Sequence, residues 1–309
     1  MRVVVSAQLG APPSLAELPE PVPGPGEVRV KLQASSLNGF DTAVVSGWTA
    51  AYLEHRFPVV LGRDFAGVID QIGPDVLGFG PGDQVFGVVF TIPLHAGGFG
   101  EYVVVPVASL ARVPSGLDIA TAGVLGLAPS AANSVLDAIA LKPGEIVVIS
   151  GATGGVGNML IQLATAAGAT VVATAASKAE VELAQRLGAA HLVDYTADLV
   201  AQVRDLAPQG VDAAVHLAGD PATLARVVRP GGRLASLLGV TAEQLGVQGI
   251  SVLPVVASRE PGALEDIAAQ VAAGRIVVPV QHTYALEEVP QAFADFAAGT
   301  LGKLAIRIA

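Results

Sequence analysis

The chain has 309 residues, 52% of them hydrophobic and only 14% charged, with a formal net charge of −10 and no cysteine. That length holds one large domain or two, and the apolar content supplies a sizeable core and excludes a disordered chain. The acidic balance leaves no basic face for nucleic acid and disfavours anionic membrane surfaces, while the missing cysteines exclude disulfides, thiol nucleophiles and thiolate metal sites.

Residues 1 to about 120 read as β-rich. Short apolar runs stand at Val28–Leu32, Phe65–Ile69, Gln84–Val89 and Tyr102–Val105. Turn clusters separate them at Pro23-Gly24-Pro25-Gly26, at Gly78 to Asp83 and at Gly97-Gly98-Phe99-Gly100. This spacing suits a compact antiparallel barrel. A helix-like stretch from Ala120 to Ala140 follows, and then strands and helices alternate. Strands are expected at 146–150, 170–174, 211–217, 233–238 and 250–256, and helices near 157–167, 178–187, 197–206, 221–228 and 261–273. Regular alternation implies a parallel sheet with helices on both faces. After Arg275 the runs Ile276–Val280 and Leu304–Ile308 are strand-like again and are expected to close back onto the first domain.

The richest local signal is Val147-Val148-Ile149-Ser150-Gly151-Ala152-Thr153-Gly154-Gly155-Val156-Gly157. A β-branched strand enters a glycine turn that opens into the helix-forming run Asn158–Ala164. Glycines in that context let the backbone approach a pyrophosphate, which rests on the N–H groups of the helix start. The spacing is G-x-x-G-x-x-G rather than the strict G-x-G-x-x-G, and a glycine turn without a ligand is the alternative. No charged residue interrupts 146–177, but its glycines and polar residues fit strand, loop, helix and strand inside an α/β domain better than a membrane span. The start, Met1-Arg2-Val3-Val4-Val5-Ser6, lacks a long apolar segment and cleavage site, so a cytoplasmic protein is expected.

Further strings agree in order. They are Pro23 to Val30, Ser36-Leu37-Asn38-Gly39-Phe40-Asp41, Leu61-Gly62-Arg63-Asp64-Phe65-Ala66-Gly67-Val68 and Gly80-Pro81-Gly82-Asp83-Gln84-Val85. Gly97 to Pro106, Leu141 to Glu145, the glycine turn with Gln162, Gly231-Gly232-Arg233 and Gly302-Lys303 complete the series. With them the chain resembles the medium-chain dehydrogenase/reductase superfamily, and within it the zinc-free NADPH:quinone oxidoreductase-like branch. The resemblance implies an α/β fold: a Rossmann doubly wound parallel sheet at 121–274, and a GroES-like β-barrel substrate domain at 1–120 completed by 275–309. It also implies a reaction cleft between the two and a homodimer paired through the Rossmann sheet edge.

An NAD-preferring Rossmann site carries an acid at the end of its second strand. Here that place falls on Ala175, followed by Ala176-Ser177-Lys178. In the family, matching Ser, Lys and Tyr residues (Ser177, Lys178 and Tyr195 here) bind a 2′-phosphate, so NADPH is the expected cofactor. The alternative is that Ser177 and Lys178 only start a helix. The turn residues Gly151, Thr153, Gly154, Gly155, Val156 and Gly157, with Ala218, Leu238 and Lys303, complete the expected cofactor contacts.

The family's zinc motif Gly-His-Glu reads Gly62-Arg63-Asp64, which puts a cation where a metal ligand stands and leaves Asp64 as an ion-pair partner. The five histidines are scattered, so no metal is expected. Without a Lewis acid the acceptor must already be electron-poor, as a quinone or an α,β-unsaturated carbonyl is. Asn38 matches the family's Asn on the loop facing the nicotinamide, with a turn-forming Asn as the alternative. Tyr52, near Trp48, is the candidate proton donor, with core packing as its alternative. Two departures stand out: Ser130-Ala131-Ala132 replaces a common Leu-Thr-Ala step, and His216 stands where an Asp is common. An enoyl-thioester reductase and a non-catalytic NADPH-binding protein are the competing readings; the first would need a basic entrance that the sequence lacks.

Overall fold

The structure is a computed structural model, and it describes residues 1–258 and 261–308. The chain divides into two units: Met1–Ala128 with the described part of Arg259–Ala309, and Pro129–Ser258.

In the first unit a seven-stranded sheet runs in the order Val280–Ala285, Lys303–Arg307, Glu27–Leu37, Asp64–Ile72, Gln84–Val88, Leu110–Arg112, with Tyr102–Pro106 also paired to Glu27–Leu37. Alternation along Glu27–Leu37 sends Val28, Val30 and Leu32 into a core shared with Phe65, Ile69, Val85 and Phe99. The strand is longer than its apolar run suggested, because Ser35 and Ser36 continue it with their hydroxyls satisfied inside. A smaller sheet pairs Arg2–Ser6 with Ser14–Glu17 and Val59–Val60. The strand expected at Ile276–Val280 begins only at Val280. Proline 279 has no N–H to give, and its carbonyl instead accepts from the Lys303 amide at 2.8 Å.

The second unit holds a six-stranded parallel sheet ordered His191–Val193, Thr170–Thr174, Ile146–Ile149, Val211–His216, Val228–Ser236, Ser251–Pro254. Numbered within the unit, the order is 3-2-1-4-5-6, the doubly wound dinucleotide-binding arrangement. The residues of the central strands are almost all buried, as expected for a sheet covered on both faces. The third strand was not expected from the sequence. The fifth starts five residues before the expected 233, running through Pro230-Gly231-Gly232 by a register shift against Val211–His216. Residues 146–177 form strand, turn, helix and strand, and among the described residues no helix is long and apolar enough to cross a membrane.

Candidate active site

The first Rossmann strand ends at Ile149, and helix Gly155–Ala166 begins after a turn whose last residue, Gly154, caps it with no side-chain bond. The N–H groups of the first helical turn have no intrahelical acceptor and face out of the helix end. Two glycines here are demanded by geometry. Gly151 sits at φ +63°, and a Cβ on it would lie 3.1 Å from the Ala218 Cβ. A Cβ on Gly157 would lie 2.4 Å from the Gly151 oxygen and 2.5 Å from that of Ala152, both backbone atoms that cannot step aside.

Side chains fix this turn to the neighbouring strands. The Ser150 hydroxyl donates to the Val215 carbonyl at 3.1 Å and accepts from the amide of Leu217 at 3.1 Å. The Gly151 amide donates to the Thr174 hydroxyl at 3.2 Å. His216, 2% exposed, bonds Ser236 through Nδ1 at 3.0 Å and the Gly219 carbonyl through Nε2 at 3.1 Å. An Nε2 facing a carbonyl must carry the proton, so Nδ1 accepts from the Ser236 hydroxyl. That hydroxyl in turn accepts from the Leu238 amide at 3.1 Å. Thus Gly151, Thr153, Gly154, Gly155, Val156, Gly157, Ala218 and Leu238 all gather at the carboxyl end of the sheet around its switch point, where ligands of such folds bind. The open helix end and the close-approach glycines fit a dinucleotide.

At the end of the second strand Ala175 is 4% exposed. Ser177 caps helix Lys178–Arg186, accepting from the Glu180 amide at 3.2 Å. The Glu180 carboxylate reaches back to the amides of Ser177 at 2.8 Å and Ala176 at 3.0 Å, and the Tyr195 hydroxyl donates to it at 3.2 Å. Ser177 and Tyr195 are therefore brought together, through a carboxylate. Burial works against that charge, but the Ser177 and Ala176 amides and the Ser177 and Tyr195 hydroxyls outweigh it and hold Glu180 below the usual carboxylate range. Lys178 points into solvent, its ammonium 3.7 Å from Glu182.

In the first unit a second set of groups is buried. Asn38 precedes helix Gly39–Val45, and its amide N–H donates to Asp41 Oδ2 at 2.9 Å. Its side chain accepts from Lys303 at 2.7 Å and donates to Asp64 Oδ2 at 2.9 Å. The Lys303 ammonium also donates to Leu37 O at 3.3 Å and Asp64 Oδ2 at 3.4 Å, so its three protons each have an acceptor within the unit. Asp64 further accepts from the Ser36 hydroxyl and from the Leu127 amide at 2.6 Å. Four donors converge on it, three on Oδ2 and one on Oδ1.

Arg63 is 1% exposed and packed among carbonyls: Nη2 donates to Val60 O at 3.0 Å and Ala96 O at 2.9 Å, and Nη1 to Val89 O at 3.4 Å. Its Nε makes no hydrogen bond and lies 3.8 Å from Asp41 Oδ1, an oxygen that accepts from the Gly62 amide at 3.0 Å. Arg63 thus pairs with Asp41, and Asp64 with Lys303. Burial raises the Asp41 carboxyl to about 6 in spite of Arg63, and burial lowers the Arg63 guanidinium in spite of Asp41. Because the folded value lies above the unfolded one, stability from this group is complete below the unfolded value and is lost as pH rises through about 6. Urea midpoints at pH 4.5 and 7.5 should therefore diverge less in Asp41→Asn than in the parent; equal divergence would disprove the assignment.

The donors around Arg63 do not suit a zinc ion. The Arg63 guanidinium is buried beside Asp41, Asp64 is engaged by four donors, and among the described residues no group of three His, Asp or Glu could hold a metal. Tyr52 is 55% exposed and meets Trp48 edge-on at 5.2 Å. Burial pushes its phenol up, so it stays protonated at neutral pH. Glu180, Asp41 and Ser36 had no functional reading from sequence. Glu180 and Asp41 left local traces, capping patterns that run from Ser177 to Glu180 and from Asn38 to Asp41.

Residues 24–115 match the alcohol dehydrogenase GroES-like domain, and residues 155–259 match the zinc-binding dehydrogenase family; together these cover more than half of the chain. The solved quinone oxidoreductase from Coxiella burnetii superposes with a TM-score of 0.92 at 25% identity, covering 100% of this chain and 99% of that one. The chain belongs to the quinone oxidoreductase-like branch of the medium-chain dehydrogenase/reductase superfamily. This superfamily binds a nicotinamide cofactor, in keeping with the glycine turn. A zinc-type alcohol dehydrogenase-like protein of Schizosaccharomyces pombe is 36% identical over 205 residues, 59% of this chain and 57% of that protein. A 2-haloacrylate reductase of a Burkholderia species is 31% identical over 195 residues, 62% and 57% of the two chains. The chain thus spans less than two thirds of the length of these curated superfamily relatives.

Proposed function

We propose that the protein is a zinc-independent reductase that takes hydride from NADPH and delivers it to a quinone or an α,β-unsaturated carbonyl. The observation that carries this reading is Arg63, buried among three carbonyls and Asp41 in the motif position of a metal ligand. With a guanidinium there, no metal polarises a simple carbonyl, and the acceptor must spread the incoming charge through its own conjugation. The likeness to a quinone oxidoreductase and to a reductase of a conjugated acid supports that acceptor class.

The bound nicotinamide supplies the hydride, and the chain supplies position. The glycine turn from Gly151 to Gly157 holds the pyrophosphate, with Thr153, Ala218 and Leu238 beside it. Ser177 and Tyr195 face the adenosine ribose, with an uncharged Ala175 at the strand end and Lys178 nearby in sequence. Asn38, its amide engaged by Lys303 and Asp64, orders the loop on the acceptor side. Tyr52 or solvent returns the proton to the reduced acceptor. We place the protein in the cytoplasm as a homodimer paired through an edge of the Rossmann sheet.

The test is NADPH oxidation by the purified protein, with a benzoquinone and a matched enone run in parallel, before and after dialysis against a chelator. Turnover that survives chelation supports the reading. Its loss, with recovery on adding zinc, would overturn the zinc-independent part; no turnover on either acceptor would overturn the rest.

A further inference from the structure

Glu180 holds more than a helix cap requires. In a Ser-x-x-Glu box the acidic side chain returns to the N-cap amide, here Ser177 at 2.8 Å. This carboxylate also takes the Ala176 amide at 3.0 Å, one residue outside the helix, and the hydroxyl of Tyr195, which arrives from the loop after strand His191–Val193. Donors from two separate elements thus converge on one anion beside the end of the second strand. Ala175, at that strand end, supplies no carboxylate of its own. The charge comes instead from the following helix, to the place where a Rossmann site meets the 2′-substituent of the adenosine ribose.

Resting on the nucleotide reading above, we infer that Glu180 sets the cofactor preference by standing as an internal anion on the donors that a 2′-phosphate needs. The Ser177 amide and the Tyr195 hydroxyl, on the residues assigned to that phosphate, both donate to the Glu180 carboxylate, and Lys178 is turned away towards Glu182. A 2′-phosphate reaches the two amides and the Tyr195 hydroxyl only after displacing the carboxylate, and the two anions repel. A 2′-hydroxyl does not meet this obstacle, since it can donate a hydrogen bond to Glu180 where it stands. The charge narrows, without reversing, the advantage that Ala175 and Tyr195 give NADPH, and leaves NADH binding unaffected.

Glu180→Gln isolates the charge. Glutamine still accepts from the Ser177 amide, so the capping box and the fold are retained, while the negative charge is gone. Equilibrium titration of the purified protein with NADPH and with NADH, followed by quenching of Trp48 fluorescence or by calorimetry, reads affinity without turnover. The expected result is NADPH binding tightened by roughly tenfold or more, with NADH binding changed less than about twofold. Unchanged affinity for both cofactors overturns the inference. So does an equal loss for both, which would make Glu180 a helix cap alone. If Glu180→Gln does not fold, Glu180→Ala serves, because the Ser177 hydroxyl still caps the backbone amide at 180. NADPH binding should tighten more than NADH binding, and an equal effect on both overturns the inference. If the parent protein binds neither cofactor, the nucleotide reading itself fails, a result distinct from binding that ignores Glu180.

Discussion

Replacing Arg63 with alanine should destabilise the protein by about 3–5 kcal/mol, the usual cost of removing one partner of a buried ion pair. The substitution strands Asp41, which is fully buried, with the amides of Gly62 and Asn38 and the more distant Lys303 ammonium to face its charge. It also unpairs the carbonyls of Val60, Val89 and Ala96 and opens a cavity the size of a long side chain. Arg63→Met combined with Asp41→Asn should recover most of the loss, because the volume is refilled and the charge removed. The pair itself is not a large source of stability: burial pushes both groups towards their neutral forms. Chemical unfolding of the three proteins decides the matter. An alanine variant within about 1 kcal/mol of the parent would show that the guanidinium is not holding this region together.

The second large effect is expected at the glycine turn. Gly157→Ala puts a methyl group 2.4–2.6 Å from backbone atoms of Gly151 and Ala152. Strain of about 1–3 kcal/mol from such overpacking must open the turn, and nucleotide affinity should fall by about tenfold to a hundredfold for that energy. Gly154→Ala is the informative contrast. Its Cβ would lie 3.4 Å from the Gly151 oxygen, an ordinary contact, and its φ of −74° suits any residue. The fold leaves room for a side chain at 154, so on the proposed nucleotide reading a glycine there serves the close approach of the pyrophosphate. Gly154→Ala should therefore unfold at the parent's urea midpoint while losing nucleotide affinity. A variant that binds as the parent does would remove the pyrophosphate from this turn.

How far the sequence led can be judged from particular segments. The glycine turn was legible because strand, turn and helix start are contiguous and their conformational demands are local. Strand His191–Val193 was not, being three residues long, with an exposed histidine at its start. Strand Val228–Ser236 was obscured by Pro230-Gly231-Gly232, which reads as a loop but is carried within the ladder by a register shift. In the site, Arg63 itself was legible as the middle residue of the string Gly62-Arg63-Asp64. Its partner Asp41 was not, since that contact joins a helix to a turn 22 positions on. The bond between Lys303 and Asn38 spans 265 positions, and neither residue's neighbours announce it. What sequence could not supply in each case was the tertiary contact that satisfies a buried polar group.

That last bond also orders events during synthesis. Residues leave the ribosome from the amino end, and Lys303 follows every residue of the Pro129–Ser258 unit. The sheet of that unit can be complete while Asp64 and Asn38 still wait for their ammonium partner. For that interval the amino-terminal portion carries a carboxylate destined for burial and short of its cation, along with an unfilled place beside strand Glu27–Leu37 where Lys303–Arg307 will pair. A nascent chain halted before residue 303 should be open to protease in its first 128 residues while 129–258 resists, so the part made first is the part finished last.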